Sequence, residues 1–160
     1  MAKHCAGFVV VGEVVTVVDA EIPNGSDEPV TIIADHTWKL QTGETAPAYA
    51  VLHQRCANYL RENGVGSVVV KASALPRKAA PKLGLLTSAE VRGVIIAAAA
   101  SVCDDVKVVS KAVISRTYGE RKVDEYLEDD AFWEEQTQGG SLRKTSRQAA
   151  MLVVATRNRR

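Results

Sequence analysis

Between Asn63 and Ala89 the chain carries no aspartate or glutamate, whereas Lys71, Arg77, Lys78 and Lys82 are all basic. Acids are absent again beyond Glu135, where Arg143, Lys144, Arg147, Arg157, Arg159 and Arg160 supply the charge. Between these segments lies an acid-rich one that contains Glu120, Asp124, Glu125, Glu128, Asp129, Asp130, Glu134 and Glu135. The formal net charge of +1 conceals this asymmetry. Two basic segments that meet in space can orient a polyanion, because ammonium and guanidinium groups attract phosphates at a distance and bind them by charge-assisted hydrogen bonds. The same charges read equally well as solvated faces of a folded domain. The candidates for binding nucleic acid are Lys71, Arg77, Lys78, Lys82, Arg143, Lys144 and Arg147.

Other chemistry-bearing groups are less ordered. His4, His36 and His53 share no metal-type spacing, and His53 falls beside the apolar face of a helix. Asp35 and His36 form an acid-base site with Glu13 and Asp19 only if the corresponding strand ends converge. Asp124, Glu125, Glu128 and Asp129 have helical spacing that suits either a cation or a solvated helix face. No nucleophile elbow, phosphate-cradling glycine loop or dinucleotide fingerprint occurs, since Gly64-Val65-Gly66 precedes a strand where such motifs follow one. The tryptophans and tyrosines are too scattered for a base-stacking platform. The cysteines Cys5, Cys56 and Cys103 are odd in number and sit singly in apolar runs, as buried thiols of a reducing cytoplasm do. The expectation is a cytoplasmic protein without a membrane span, since no apolar run reaches the roughly 18 residues a span needs.

The elements that must position these groups follow from periodicity. Cys5 to Val11 and Val14 to Val18 are β-branched runs joined at Gly12-Glu13, and Val30 to Ala34 resumes strand character beyond a Pro-Asn-Gly turn, running on toward Trp38 and Leu40. The spacing of Tyr49, Leu52, His53, Cys56 and Leu60 predicts a helix that stops at Asn63-Gly64. Val65 to Val70 reads as a buried central strand, which ends at Lys71 and enters the basic loop from Ala72 to Leu86. A helix is predicted from Thr87, with Glu90 completing a capping box and Leu86 stapled on Val91, and its body is apolar all round apart from Arg92. Val106 to Val109 is a fifth strand, parallel to the fourth by a right-handed crossover. Ser110 caps a short helix through Ser115, and Arg121 to Trp133 forms another. Thr137 to Ser141 is a flexible break, and Leu142 to Thr156 forms the last helix. A single domain is expected over 1–156, with 157–160 as a frayed basic tail.

Three meandering strands, a helix, a strand, a helix, a strand and a closing helix is an order that resembles the ribonuclease H-like fold. The glycine in the first strand (Gly7), the strand leading through a basic loop into an alanine-rich helix, and the closing run Ser146 to Ala155 resemble its Holliday-junction resolvase branch. The resemblance implies an α/β fold with a mixed five-stranded sheet, an antiparallel three-strand meander plus parallel strands, flanked by helices. It also implies phosphodiester hydrolysis by two metal ions held on carboxylates of the first strand, the fourth strand and the closing helix. The corresponding positions here are Val9, Lys71 with Ala72, and the run Ser146 to Ala150, none of them acidic. Two divalent cations need several anionic oxygens, and a fixed ammonium repels them while neutralising a phosphate.

The reading is therefore a module that binds nucleic acid (DNA or RNA) or a protein, on a ribonuclease H-like scaffold, without catalytic residues, metal ligands or cofactor. Two alternatives stand beside it. One is a divergent metal-dependent nuclease that uses Mg²⁺ with Glu13, Asp19 or the acids near Asp124. The other is a structural subunit that docks through its first helix on a protein partner or on a second copy as a homodimer.

Overall fold

The computed structural model describes residues 2–25, 27–78, 80 and 82–158. β-Branched and apolar residues dominate the strands β1 (Lys3–Val11), β2 (Val14–Ile22), β3 (Val30–Lys39), β4 (Ser67–Lys71) and β5 (Asp105–Val109). The helices are α1 (Thr45–Glu62), α2 (Leu83–Ala100), α3 (Lys111–Tyr118), α4 (Val123–Leu127), α5 (Asp130–Gln136) and α6 (Arg147–Asn158). Among the described residues the sheet has six strands, because Thr137–Gly139 forms a short strand, β6. Their order is β5-β4-β1-β2-β3-β6. β1, β2 and β3 form the antiparallel meander, and β4, β5 and β6 each join in parallel.

Alternation along the strands divides the core into two layers. Ala6, Phe8, Val10, Val15 and Val17 face α1 and α2, while Cys5, Val9, Val18, Ala20 and Ile22 face α6 and the short helices. β4 is buried through Val70, as its valine run requires of a strand covered on both faces.

Several boundaries differ from the sequence expectation. The flexible break expected at Thr137 to Ser141 is instead β6, because the edge of β3 offers unpaired backbone groups. Gly139 turns with φ +89°, and the amide of Gly140 then donates to the Ile32 carbonyl at 2.9 Å. α2 starts at Leu83, so Thr87 lies inside the helix with its hydroxyl 3.5 Å from the Leu83 carbonyl, and Glu90 accepts from the Tyr49 hydroxyl instead of closing a capping box. The single helix expected over Arg121 to Trp133 is two, α4 and α5. The break falls where the Asp129 carboxylate accepts from the Phe132 amide at 3.1 Å and caps α5. A 3₁₀ turn, Lys144–Ser146, precedes α6.

The expected tail also begins later. Arg157 belongs to α6 and is 6% exposed, with Nη1 donating to the Glu28 carbonyl at 2.9 Å and Nη2 to Gln136. Arg159 and Arg160 lie outside the described residues. α2 is long and apolar enough to cross a membrane by length and composition. The expectation that no such run exists overlooked that Glu90 and Arg92 are its only charges. Val91, Ile95, Ala98 and Ala99 of its inner face are buried in the core.

α6 lies directly on β1. A Cβ added at Gly7 would come within 2.3 Å of the Ala149 carbonyl oxygen, a backbone atom that cannot swing away. Gly7→Ala is expected to destabilise the fold by roughly 1–3 kcal/mol or more, as overpacking does. Ala6→Gly, on the opposite face of the same strand, should cost less. Chemical denaturation of both variants measures the difference.

Candidate nucleic-acid interface

Because β1 and β4 run parallel with Phe8 opposite Val70, Val9 and Lys71 are neighbours at the carboxyl ends of these strands. The seat of α6 on Gly7 places the first turn of that helix over the same point, where Lys71 Nζ donates to Gln148 Oε1 at 3.1 Å. The three positions at which the family resemblance implies carboxylates thus meet, occupied by an alkyl group, an ammonium and a carboxamide. From the other layer, Arg92 of α2 stitches the start of the basic loop to the end of β1. It donates to Ser73 Oγ and, at 2.9 Å, to the Val10 carbonyl, while its buried Nε has no hydrogen-bond partner among the described residues.

Beyond Lys71 the strand order matters. β5 lies beside β4, so the segment that follows β5 rises next to the segment that follows β4. Lys111, the first residue of α3, and Asp124 of α4 form an ion pair at 3.0 Å beside Lys71. With Gln148, Met151 and Leu127 these residues line a small cavity of about 20 Å³. It adjoins an open cleft of about 1030 Å³, along which Arg77, Lys111, Arg116, Arg121 and Lys122 face Glu120 and Asp124. Five cations against two carboxylates leave the lining positive, with Lys111 paired to Asp124. Arg116 and Lys122 are in no ion pair among the described residues, whereas Arg121 binds Asp129 at 2.8 Å.

Lys71 is half-buried. Burial first, and then the charges of Lys111 and Arg92, hold its pKa below that of an ordinary lysine against the pull of Asp124. This donor set does not fit a pair of divalent cations: Val9 offers no oxygen, Lys71 repels them, and Asp124, the one carboxylate lining the small cavity, is already paired. Among the described residues no group of three or more His, Cys, Asp or Glu side chains is arranged to hold a metal ion.

Of the residues chosen from sequence, Arg77 lines the open cleft and Lys71 the small cavity that adjoins it, and Lys78 and Lys82 are exposed on the same loop as Arg77. Arg143, Lys144 and Arg147 do not line it. Arg143 is bidentate on Asp35, with Nη2 to Oδ1 at 2.7 Å and Nε to Oδ2 at 3.0 Å, and its amide and Ser146 Oγ donate to the same carboxylate. Arg147 holds the Leu127 carbonyl and Asp130, and Lys144 pairs with Glu128 at 3.0 Å. These side chains fasten the entry to α6.

The acid-base site conceived from Glu13, Asp19, Asp35 and His36 does not form, because Asp19 and Asp35, although close in the β2–β3 register, stand on opposite faces of the sheet, and the His36 ring packs edge-on against Tyr59. Asp19 faces α1 and is fully buried, accepting from Tyr59 Oη at 3.0 Å and pairing with His4, whereas Asp35 faces α6 and Glu13 sits near the β1–β2 turn. Sequence reasoning missed Lys111, Arg116, Arg121 and Lys122, which stand in or beside the acid-rich segment. The signal was topological: adjacent parallel strands put Lys111 next to the loop after Lys71.

The Asp35 side chain is 5% exposed. Burial raises the pKa of its carboxyl, but the hydrogen bonds from Arg143 and Ser146 outweigh this and hold it below the usual range. A depressed native pKa gives stability that is present above the unfolded value of 3.8 and lost as pH falls through the native one. Asp35→Asn is expected to lose about 2 kcal/mol at neutral pH and to flatten the acid limb of the stability profile, as urea unfolding at stepped pH can establish.

No protein-family model matches the sequence, and no curated protein sequence matches it. Solved structures do match its fold. RuvC of Thermus thermophilus superposes with a TM-score of 0.70 at 12% identity, covering 96% of this chain and 92% of that one. The same protein in complex with a Holliday junction substrate gives 0.68 with the same identity and coverage. The yeast mitochondrial Holliday junction resolvase Ydc2 gives 0.65 at 10% identity, over 98% of this chain and 78% of that one. The chain therefore has the ribonuclease H-like fold in the arrangement found in RuvC.

Proposed function

We propose that this chain binds nucleic acid in the cationic cleft beside Lys71 and does not cleave it by metal-ion chemistry. The observation that carries the reading is the half-buried ammonium of Lys71, held by a neutral carboxamide at the strand end where five cations line an open cleft. Such a group is poorly compensated and gains from an arriving phosphate. The fold shared with RuvC, which has been captured with a Holliday junction, supports DNA as the polyanion and junctions among the forms to test. The interface consists of Lys71, Arg77, Lys111, Arg116 and Lys122, with Lys78 and Lys82 reaching out from the loop. Arg143, Lys144 and Arg147 hold the scaffold in place.

Binding to labelled branched, linear and single-stranded DNA is expected to weaken steeply with salt, since each phosphate contact releases condensed counterions. Arg116→Gln and Lys122→Gln should each lower the slope of log affinity against log salt by about one. Arg143→Gln should destabilise the fold and leave that slope unchanged. No binding to any form at low ionic strength would sink the proposal. Junction cleavage with Mg²⁺ or Mn²⁺ that disappears in Asp124→Asn would favour the nuclease alternative.

The state of Lys71 adds a pH signature. The protonated amine binds the anion, so affinity falls as pH rises through its depressed pKa, earlier than for an exposed lysine. Lys71→Arg should bind with no such loss over the same alkaline range.

A further inference from the structure

A lysine becomes a nucleophile where apolar surroundings and neighbouring cations favour its neutral amine, and such amines condense with aldehydes. Lys71 has both kinds of neighbour. Ile114, Val123, Leu127 and Met151 wall the small cavity that it lines, and the charges of Lys111 and Arg92 act together with burial against its protonation. Its hydrogen-bond partner is the neutral carboxamide of Gln148 at 3.1 Å, which orients the amine without holding its proton as a carboxylate would. Attraction for anions accounts for the cations of this site but not for its alkyl walls, since exposed lysines such as Lys78 and Lys82 serve that purpose without them. Asp124 is the one carboxylate lining the cavity among the described residues, with Oδ2 at 3.0 Å from Lys111 Nζ. An amine, a carboxylate and a second ammonium thus stand together where the cavity adjoins the cleft.

We propose that Lys71 condenses with the aldehyde of an abasic deoxyribose in DNA and nicks the strand beside that sugar by β-elimination, an activity that rests on the binding of DNA in the cleft. A deoxyribose that has lost its base opens to an aldehyde at C1′. The neutral Nζ of Lys71 adds to that carbon, water leaves, and a protonated imine forms. The imine acidifies C2′, whose proton passes to the Asp124 carboxylate. The electron pair of that C–H bond becomes the C2′=C3′ double bond while the C3′–O bond breaks. The phosphate departs with the bonding electrons as a 5′-phosphate end, its charge met by Lys111. Water then hydrolyses the imine, which frees the amine and leaves an unsaturated aldehyde on the other end of the nick. One water is released and one consumed, and no electrons are exchanged, so the sequence needs no oxidant or reductant.

The full chain is to be incubated in EDTA with a DNA duplex that carries a single abasic site, and with the same duplex undamaged. Sodium cyanoborohydride, which reduces the imine, should yield a protein–DNA adduct that survives denaturing electrophoresis and maps to Lys71 by peptide mass spectrometry. Without the reductant, the strand should be nicked at the abasic site. Lys71→Arg keeps the charge but has no nucleophilic amine, and should lose both adduct and nick. Asp124→Asn should still form the adduct and nick about 100-fold more slowly, as the loss of a general base requires. Gln148→Glu gives the ammonium an anionic partner and should slow adduct formation at neutral pH by about tenfold. An adduct on the amino terminus, Lys78 or Lys82, or one that persists in Lys71→Arg, would overturn the proposal. So would trapping of free 2-deoxyribose 5-phosphate as fast as the abasic duplex, which would mark a reactive amine that does not use bound DNA. Binding of the undamaged duplex without any adduct refutes the condensation alone, whereas failure to bind either duplex refutes the nucleic-acid reading and the condensation with it.

Discussion

The backbone of α6 rests on that of β1 at Gly7, and the arrangement around Lys71 depends on that contact. With no Cβ on Gly7, the Ala149 carbonyl sits where a side chain would otherwise stand, 2.3 Å from an ideal Cβ. Ala149 and Ala150 keep the helix close, and the next turns bury Met151, Leu152, Val153 and Val154 almost completely. A helix seated at this depth brings Gln148 to Lys71 and its entry turn to Asp35. Around it, hydrogen bonds from other elements act as guy-ropes: Arg143 and Ser146 on Asp35, Arg147 on Leu127 and Asp130, and Arg157 on Glu28 and Gln136. Much of the positive charge of the carboxyl-terminal segment is spent here, which is why basic residues that look like ligands for a polyanion in the sequence are fasteners in the structure.

Where local and tertiary signals agree, the fold was legible from the chain. β1 to β5, α1 and the buried character of β4 follow from runs of valine and from three- and four-residue steps, whereas the close approach of α6 to Gly7 was not read from the strand. Where a residue has two chemically adequate roles, the sequence could not choose. Thr87 and Glu90 compose a good capping box, yet Leu83 to Leu86 are equally good helix formers and the helix starts with them. Asp129 looked like one more acid on a helix face and is the cap that splits it. β6 has only three residues and no apolar pattern, and it exists because β3 leaves an edge to pair with.

The candidate site was legible in one half. Lys71 stands out because a lysine closes a run of three valines. Lys111 and Arg116 do not stand out, since they are single cations on a short amphipathic helix, and Lys122 stands among carboxylates of which Glu125 and Asp129 bind elsewhere. Glu125 accepts from the Lys122 backbone amide, and Asp129 takes Arg121 and the start of α5. A charge tally along the chain averages over such partitioning, and only the sheet order reveals which charges share a face.

The compensation of buried charge separates Lys71 from the other sequestered ionisable groups. Asp19, without exposure, has His4 and Tyr59. Asp35 has a guanidinium, a hydroxyl and an amide, and Asp105 has Lys3 and Ser67. Each of these carboxylates is stabilised in its ionised form by donors within hydrogen-bond reach. Lys71 has one neutral oxygen, two nearby cations that oppose its charge, and a carboxylate that is engaged with Lys111. An ionised group left in this condition costs the fold stability at neutral pH, because charge removed from water needs an opposite charge or several oriented dipoles in return. An anionic oxygen entering from the cleft would supply that, and the same oxygen would meet Lys111 with little reorganisation of α3. The deficit at Lys71 is thus a preorganised attraction for anions, built into the sheet end by the depth at which α6 is seated on β1.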